Sequence, residues 1–188
     1  AGNPFLYTPN MDALANDGIR FTNAYCTSPV SGPSRASIVT GLMAREAGVE
    51  WNDNSKLSEG IHTVGDLLGE NGYRTVWAGK WHIPEIYPQR SKNEIKYLHG
   101  FELLPFWDAP NKHWLLGAET DPPLTDAVVS FLDGYDEREK PLFLAISYHN
   151  PHDICMYPRK VGWETMSDSL LNIRPFGRYK LPEPMGIH

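Results

Sequence analysis

Ser31-Gly32-Pro33-Ser34-Arg35 reads as the opening of a helix, and it carries the first residues able to do chemistry. A helix N-terminus presents unpaired N–H groups and a partial positive charge, which hold an oxyanion without help from any side chain. Arg35 lies four residues beyond Ser31, one turn away on the same face. Together they make a site for a tetrahedral anion. Taken by itself, Ser31 serves equally well as an ordinary N-cap. Two more polar clusters follow at Gly79-Lys80-Trp81-His82 and His149-Asn150-Pro151-His152-Asp153. Read singly, Lys80 is a solvated lysine and His82 a satisfied polar group beside Trp81. Asp153 either orients a neighbouring histidine or caps the next turn.

The elements around these clusters give them a common address. Thr8-Pro9-Asn10-Met11 looks like a helix start, with Thr8 as cap, Pro9 in the first turn and Gly18 as the C-terminal stop. Ile19 to Tyr25 alternates like a strand. A helix from Ser31 ends at Gly41, and another from Thr63 to Glu70 is closed by Asn71-Gly72. Tyr73 to Ala78 is a short strand. From Ile83 to Ala118, Pro, Trp, Tyr and Asn recur with no clear period, which reads as a long functional loop. Leu124 to Tyr135 is the best amphipathic helix, its start marked by Asp121 and the prolines that follow. Pro141 to Tyr148 is a continuous apolar run, expected as a buried parallel strand. Strands alternating with helices predict an α/β fold with a mostly parallel sheet flanked by helices. Ligands of such sheets bind beyond the carboxyl ends of the strands. The lysine and second histidine clusters fall just past predicted strands, and the serine cluster lies beyond a third.

Composition narrows the classes. Apolar residues at 41% and charged residues at 21% mark a globular chain of one domain's length, 188 residues. A net charge of −6 argues against nucleic acid as a partner, since phosphate backbones call for a basic surface. No apolar run is long enough to cross a bilayer, and no secretory signal opens the chain. Cys26 and Cys155 have no metal-binding spacing and read as two buried free thiols.

Ser31-Gly32-Pro33-Ser34-Arg35-Ala36-Ser37-Ile38-Val39-Thr40-Gly41 resembles the signature of the type I sulfatases, in which Cys or Ser is followed by x-Pro-x-Arg and a Thr-Gly helix end. Gly79-Lys80-Trp81-His82 is similar to that family's second motif, and Pro151-His152 after an apolar strand to its third. Thr8 to Ala15 and Gly18 to Phe21 look like the stretch before the signature. The resemblance runs from Asn3 to Asp153, and three motifs in order make it specific. It implies an alkaline phosphatase-like α/β core, here incomplete. Residues 1–155 would form part of the catalytic domain and residues 156–188 an irregular connector.

The resemblance implies a sulfuric ester hydrolase whose Ser31 is oxidised to formylglycine by a maturation enzyme of bacterial type. The hydrated aldehyde would then be the nucleophile. Arg35 would hold the modified residue and Lys80 would neutralise a sulfate oxygen. His82 would act as base in sulfate release, and His152 would protonate the leaving oxygen, with His149 as the competing or supporting substrate ligand. The family's divalent cation, usually calcium, would find only Ser31 as a ligand here, the others being expected outside this chain. The chain is therefore expected to be inactive alone and prone to self-association through exposed edges. Trp107 and Trp114 in the long loop offer faces for sugar rings or pack that loop onto the core, and a sulfated glycan or similar sulfate ester is the expected substrate. A periplasmic or secreted location is expected of the full-length protein. A phosphonate or phosphate ester hydrolase of the same superfamily is the near alternative, and a non-catalytic glycan-binding piece the distant one. A Ser-His-Asp hydrolase is disfavoured, since no G-x-S-x-G elbow surrounds Ser31 or Ser34.

Overall fold

The computed structural model describes residues 7–53, 55–84, 95–104, 116–136 and 138–152. Its helices are α1 (Pro9–Asp17), α2 (Ser31–Thr40), α3 (Val64–Glu70) and α4 (Leu116–Asp133). Its strands are β1 (Arg74–Gly79), β2 (Tyr97–Leu98), β3 (Phe101–Leu103) and β4 (Leu142–Ser147). They form one sheet in the order β2-β3-β1-β4. β1 pairs in parallel with both β3 and β4, while β2 turns back antiparallel on β3. The register sets Gly79 beside Ser147, so β1 and β4 finish at the same rim.

β1 is apolar on both sides because both faces of the sheet are covered there. Trp77 joins Ala36, Val39, Trp81 and Phe101 on the side of α2 and α3. Val76 and Ala78 join Leu124 and Val128 of α4 on the other side. The two helical layers hold the strand between them, and β1 is buried from Thr75 onward. At the opposite end, Arg74 donates to both carboxylate oxygens of Glu102 at 3.0 Å and lies over the rings of Phe131 and Tyr135. The hydrogen bonds donated to Glu102 raise the arginine's pKa above its ordinary value and fasten β1 to β3.

Several expectations change here. Ile19 to Tyr25 forms no strand; Ile19, Phe21 and Tyr25 are exposed, and none of the described strands pairs with them. Alternation by itself supplies no partner for the backbone. β4 is parallel as expected but only half-buried, because among the described residues it pairs on one side only. α4 begins at Leu116 and carries Pro122 and Pro123 inside it, rather than starting after them. Interior prolines cost hydrogen bonds; tertiary contacts of its first turns, described below, oppose that cost. The long loop contains the short β2–β3 hairpin and the start of α4. Thr8 does not cap α1 through its side chain; its hydroxyl reaches Asp12 instead, and Gly18 is extended rather than left-handed. By contrast, α3 runs close to its expected span, and Thr63 and Asp66 form a reciprocal capping box. Cys26 is exposed rather than buried, since the segment it follows joins none of the described strands, and Cys155 lies outside the described residues.

Candidate active site

Gly79 ends β1 with φ at 93°, a conformation only glycine adopts cheaply. The turn sends the Lys80 N–H to the Ser147 carbonyl at 2.7 Å, so the chain stays pinned to β4 as it leaves the sheet. Lys80 and Trp81 are buried. Trp81 meets Trp77 edge-on at 4.9 Å and stacks on the His99 ring at 5.8 Å, which fixes the turn from beneath. His82 then takes φ of 53°, a left-handed value that is uncommon outside glycine and favoured where structure holds it in place. Its Nδ1 lies 2.6 Å from the Ser31 hydroxyl.

That contact gives the Ser31 hydroxyl a partner away from the start of its own helix. The N-cap of α2 is Val30, whose side chain makes no capping hydrogen bond. Ser31 is the first helical residue, and its hydroxyl meets a histidine 51 positions away. Helix α2 is pinned in this orientation by Arg35. One guanidinium nitrogen of Arg35 donates to the Lys80 carbonyl and to the Ser147 hydroxyl, each at 2.8 Å. A single side chain thus ties α2, the lysine turn and the end of β4 together. Asn52 accepts from the Gly32 N–H at 2.8 Å and occupies one donor of the helix's first turn. Ser31, Ser34, Arg35 and Ser147 form the polar end of a cavity of about 620 Å³, whose apolar wall includes Trp77 and Phe143.

The second histidine cluster leaves the same rim after β4. His149 is 3% exposed, and its Nδ1 lies 3.0 Å from the Thr120 hydroxyl. His152 is exposed, on a turn closed by its N–H to the His149 carbonyl at 2.9 Å. Ser31, Arg35, Lys80 and His82 therefore form one connected group, while His149 and His152 hang from the neighbouring strand. Trp107, Trp114, Asp153 and the connector 156–188 lie outside the described residues. Asn52, Ser147, Thr120 and Asp121 carry no sequence motif; Asp121 is legible only as a helix-start signal and Ser147 only as a polar residue within an apolar strand run.

Among the described residues, no three His, Cys, Asp or Glu side chains gather to hold a metal ion. Ser31, the ligand expected in this stretch, directs its hydroxyl at His82. Calcium takes six or more oxygens. The described donor set does not fit such a site.

A mostly parallel α/β sheet with a serine, an arginine, a lysine and a histidine joined at its carboxyl rim belongs to an alkaline phosphatase-like fold, of which this chain is part. The sulfatase profile matches residues 1–166, and the chain belongs to the sulfatase family. It is 35% identical over 167 residues to an N-acetylglucosamine-6-O-sulfatase of Bacteroides thetaiotaomicron, covering 86% of this chain and 29% of that protein. The structure of Ps i-CgsB in complex with k-i-k-neocarrahexaose matches at a TM-score of 0.58 and 27% identity, over 80% of this chain and 43% of that one. A phosphonate monoester hydrolase of Agrobacterium radiobacter shares the fold at a TM-score of 0.62 and 21% identity, over 80% and 37% of the two chains. The chain thus spans less than half the length of each.

Proposed function

We propose that the protein carrying this chain is a sulfuric ester hydrolase that removes sulfate from a carbohydrate, with residue 31 as the nucleophile in its formylglycine form. The observation that carries the reading is the 2.6 Å approach of Ser31 Oγ to His82 Nδ1, on a helix end locked to the lysine turn by Arg35. Relatives named for sulfated sugars, including the N-acetylglucosamine-6-O-sulfatase and an ulvan-active sulfatase of Formosa agariphila, support a glycan as substrate.

Maturation would pass two hydrogens from the Ser31 side chain to an oxidising enzyme, leaving an aldehyde. Hydrated, that aldehyde supplies a hydroxyl that attacks sulfur. His82 stands where it can orient this hydroxyl and take a proton as sulfate departs. Arg35 keeps the helix end and the Lys80 turn in register, and the Lys80 ammonium offsets negative charge developing on sulfate oxygens. His152, with His149 behind it, donates the proton the leaving alcohol needs. The calcium of the family enters none of these steps, because the described residues do not fit it. A periplasmic or secreted location belongs to the same reading.

Mass spectrometry of the Ser31 peptide from the native organism should show a side chain lighter by two hydrogens. Paired assays on aryl sulfate and aryl phosphate esters should favour sulfate. An unmodified Ser31 in an active native enzyme, or a clear preference for phosphate or phosphonate esters, would overturn the reading.

A further inference from the structure

The first turns of α4 face the histidine turn and take no part in the roles above. Gly117, Thr120 and Asp121 stand three and four residues apart, so they share one face of the helix. Each meets the turn after β4. The Asp121 carboxylate accepts the His149 N–H on one oxygen at 2.8 Å and the Asn150 N–H on the other at 3.0 Å. Its side chain is 14% exposed, and the charge-assisted bond to the buried His149 is the better shielded of the two, Asn150 being exposed. The Thr120 hydroxyl lies 3.0 Å from His149 Nδ1. Gly117 leaves room for the Asn150 side chain, since a Cβ at that position would meet its amide nitrogen at 2.5 Å.

We infer that this face of α4 is a clamp that positions the histidine turn, with Asp121 as its principal positioning residue. The inference rests on the sulfatase reading. His152 is joined to the clamped turn through its N–H to the His149 carbonyl. A shift of the turn therefore moves the group that protonates the leaving oxygen. The carboxylate is suited to this task because it offers an acceptor to each of two consecutive N–H groups. An asparagine has one acceptor oxygen, and its NH₂ would face a donor. The two prolines after Asp121 leave this part of α4 dependent on tertiary contact, and these contacts are what the turn receives from it.

The test uses the native, matured protein with 4-nitrophenyl sulfate and phenyl sulfate. Nitrophenolate departs without a proton, whereas phenolate gains from one. Asp121→Asn should lower kcat on phenyl sulfate by about 10- to 100-fold, the scale of a misplaced catalytic group, and on nitrophenyl sulfate by less than about threefold. His152→Ala should reproduce the same split. A merely structural loss would reduce both esters equally, and that result overturns the clamp. If Asp121→Asn does not fold, Gly117→Ala takes its place with the same split expected and the same result overturning it. A wild type inert on both esters and on sulfated saccharides would sink the sulfatase reading and the clamp with it. An active wild type with equal losses sinks the clamp alone.

Discussion

Replacing Gly79 by alanine attacks the rim on which the site is built. Its φ of 93° is unfavourable for any residue with a Cβ, at about 1–2 kcal/mol. The added Cβ would also stand 2.2 Å from the Ser147 carbonyl oxygen and 2.6 Å from Leu124 Cδ2. Leu124 is 1% exposed and has little room to yield, and the carbonyl belongs to the backbone of β4. That same oxygen accepts the Lys80 N–H, a bond worth about 1 kcal/mol net. Overpacking of this kind costs about 1–3 kcal/mol. The three effects together come to about 3–6 kcal/mol, against a domain stability of about 5–15 kcal/mol. Gly41 provides the control, since its φ is 71° but a Cβ there would meet nothing within 4 Å. Gly41→Ala should therefore lose only the backbone part, about 1–2 kcal/mol. Urea unfolding of both variants, followed by circular dichroism with unchanged slopes, measures the difference. If the two variants fall within about 1 kcal/mol of each other, the close packing of β1 on β4 is not what holds the Lys80 turn.

Arg35→Lys should leave the fold intact but lower kcat/KM of the native enzyme by about 100-fold, because the shorter, differently shaped lysine side chain does not bring its ammonium to the point where one guanidinium nitrogen meets both Lys80 and Ser147. A loss below threefold by steady-state kinetics would contradict the joint described for it. Thr63 is fully buried, accepts from the Gly65 and Asp66 N–H groups, and contacts the His99 carbonyl at 2.7 Å. Thr63→Ala should lose about 2 kcal/mol in urea while Thr63→Ser keeps most of it, and equal losses would point to the methyl rather than the hydroxyl. Helix α1 buries no residue, and Met11 and Leu14 are 65% and 76% exposed. This chain by itself should scatter more light as its concentration rises, and a Met11→Glu, Leu14→Glu pair should suppress that. Concentration-independent scattering from the unmodified chain would count against it.

The sequence by itself carried the class of fold and the addresses of the chemistry. Local signals sufficed at several places where the physics was local, though not at α1, where Thr8 and Gly18 do not cap as expected. Thr63 and Asp66 form their capping box within four residues, Gly41 ends α2 in the left-handed form, and the apolar run at Leu142–Ser147 makes a strand. The Lys80 and His149 clusters follow their strands directly, so the rim was legible once the strands were. The tertiary structure decided the rest. Ile19 to Tyr25 alternates but meets no neighbouring strand among the described residues, and α4 runs through two prolines because its first turns grip the turn after β4. Above all, Ser31 turned from a plausible cap into a partner of His82, and Arg35 from an anion ligand in waiting into the joint between helix, turn and strand. Those pairings span tens of residues of chain. Hydrogen bonds depend on ångström distances in space, and spacing along a sequence does not contain them until the sheet has brought its strand ends together.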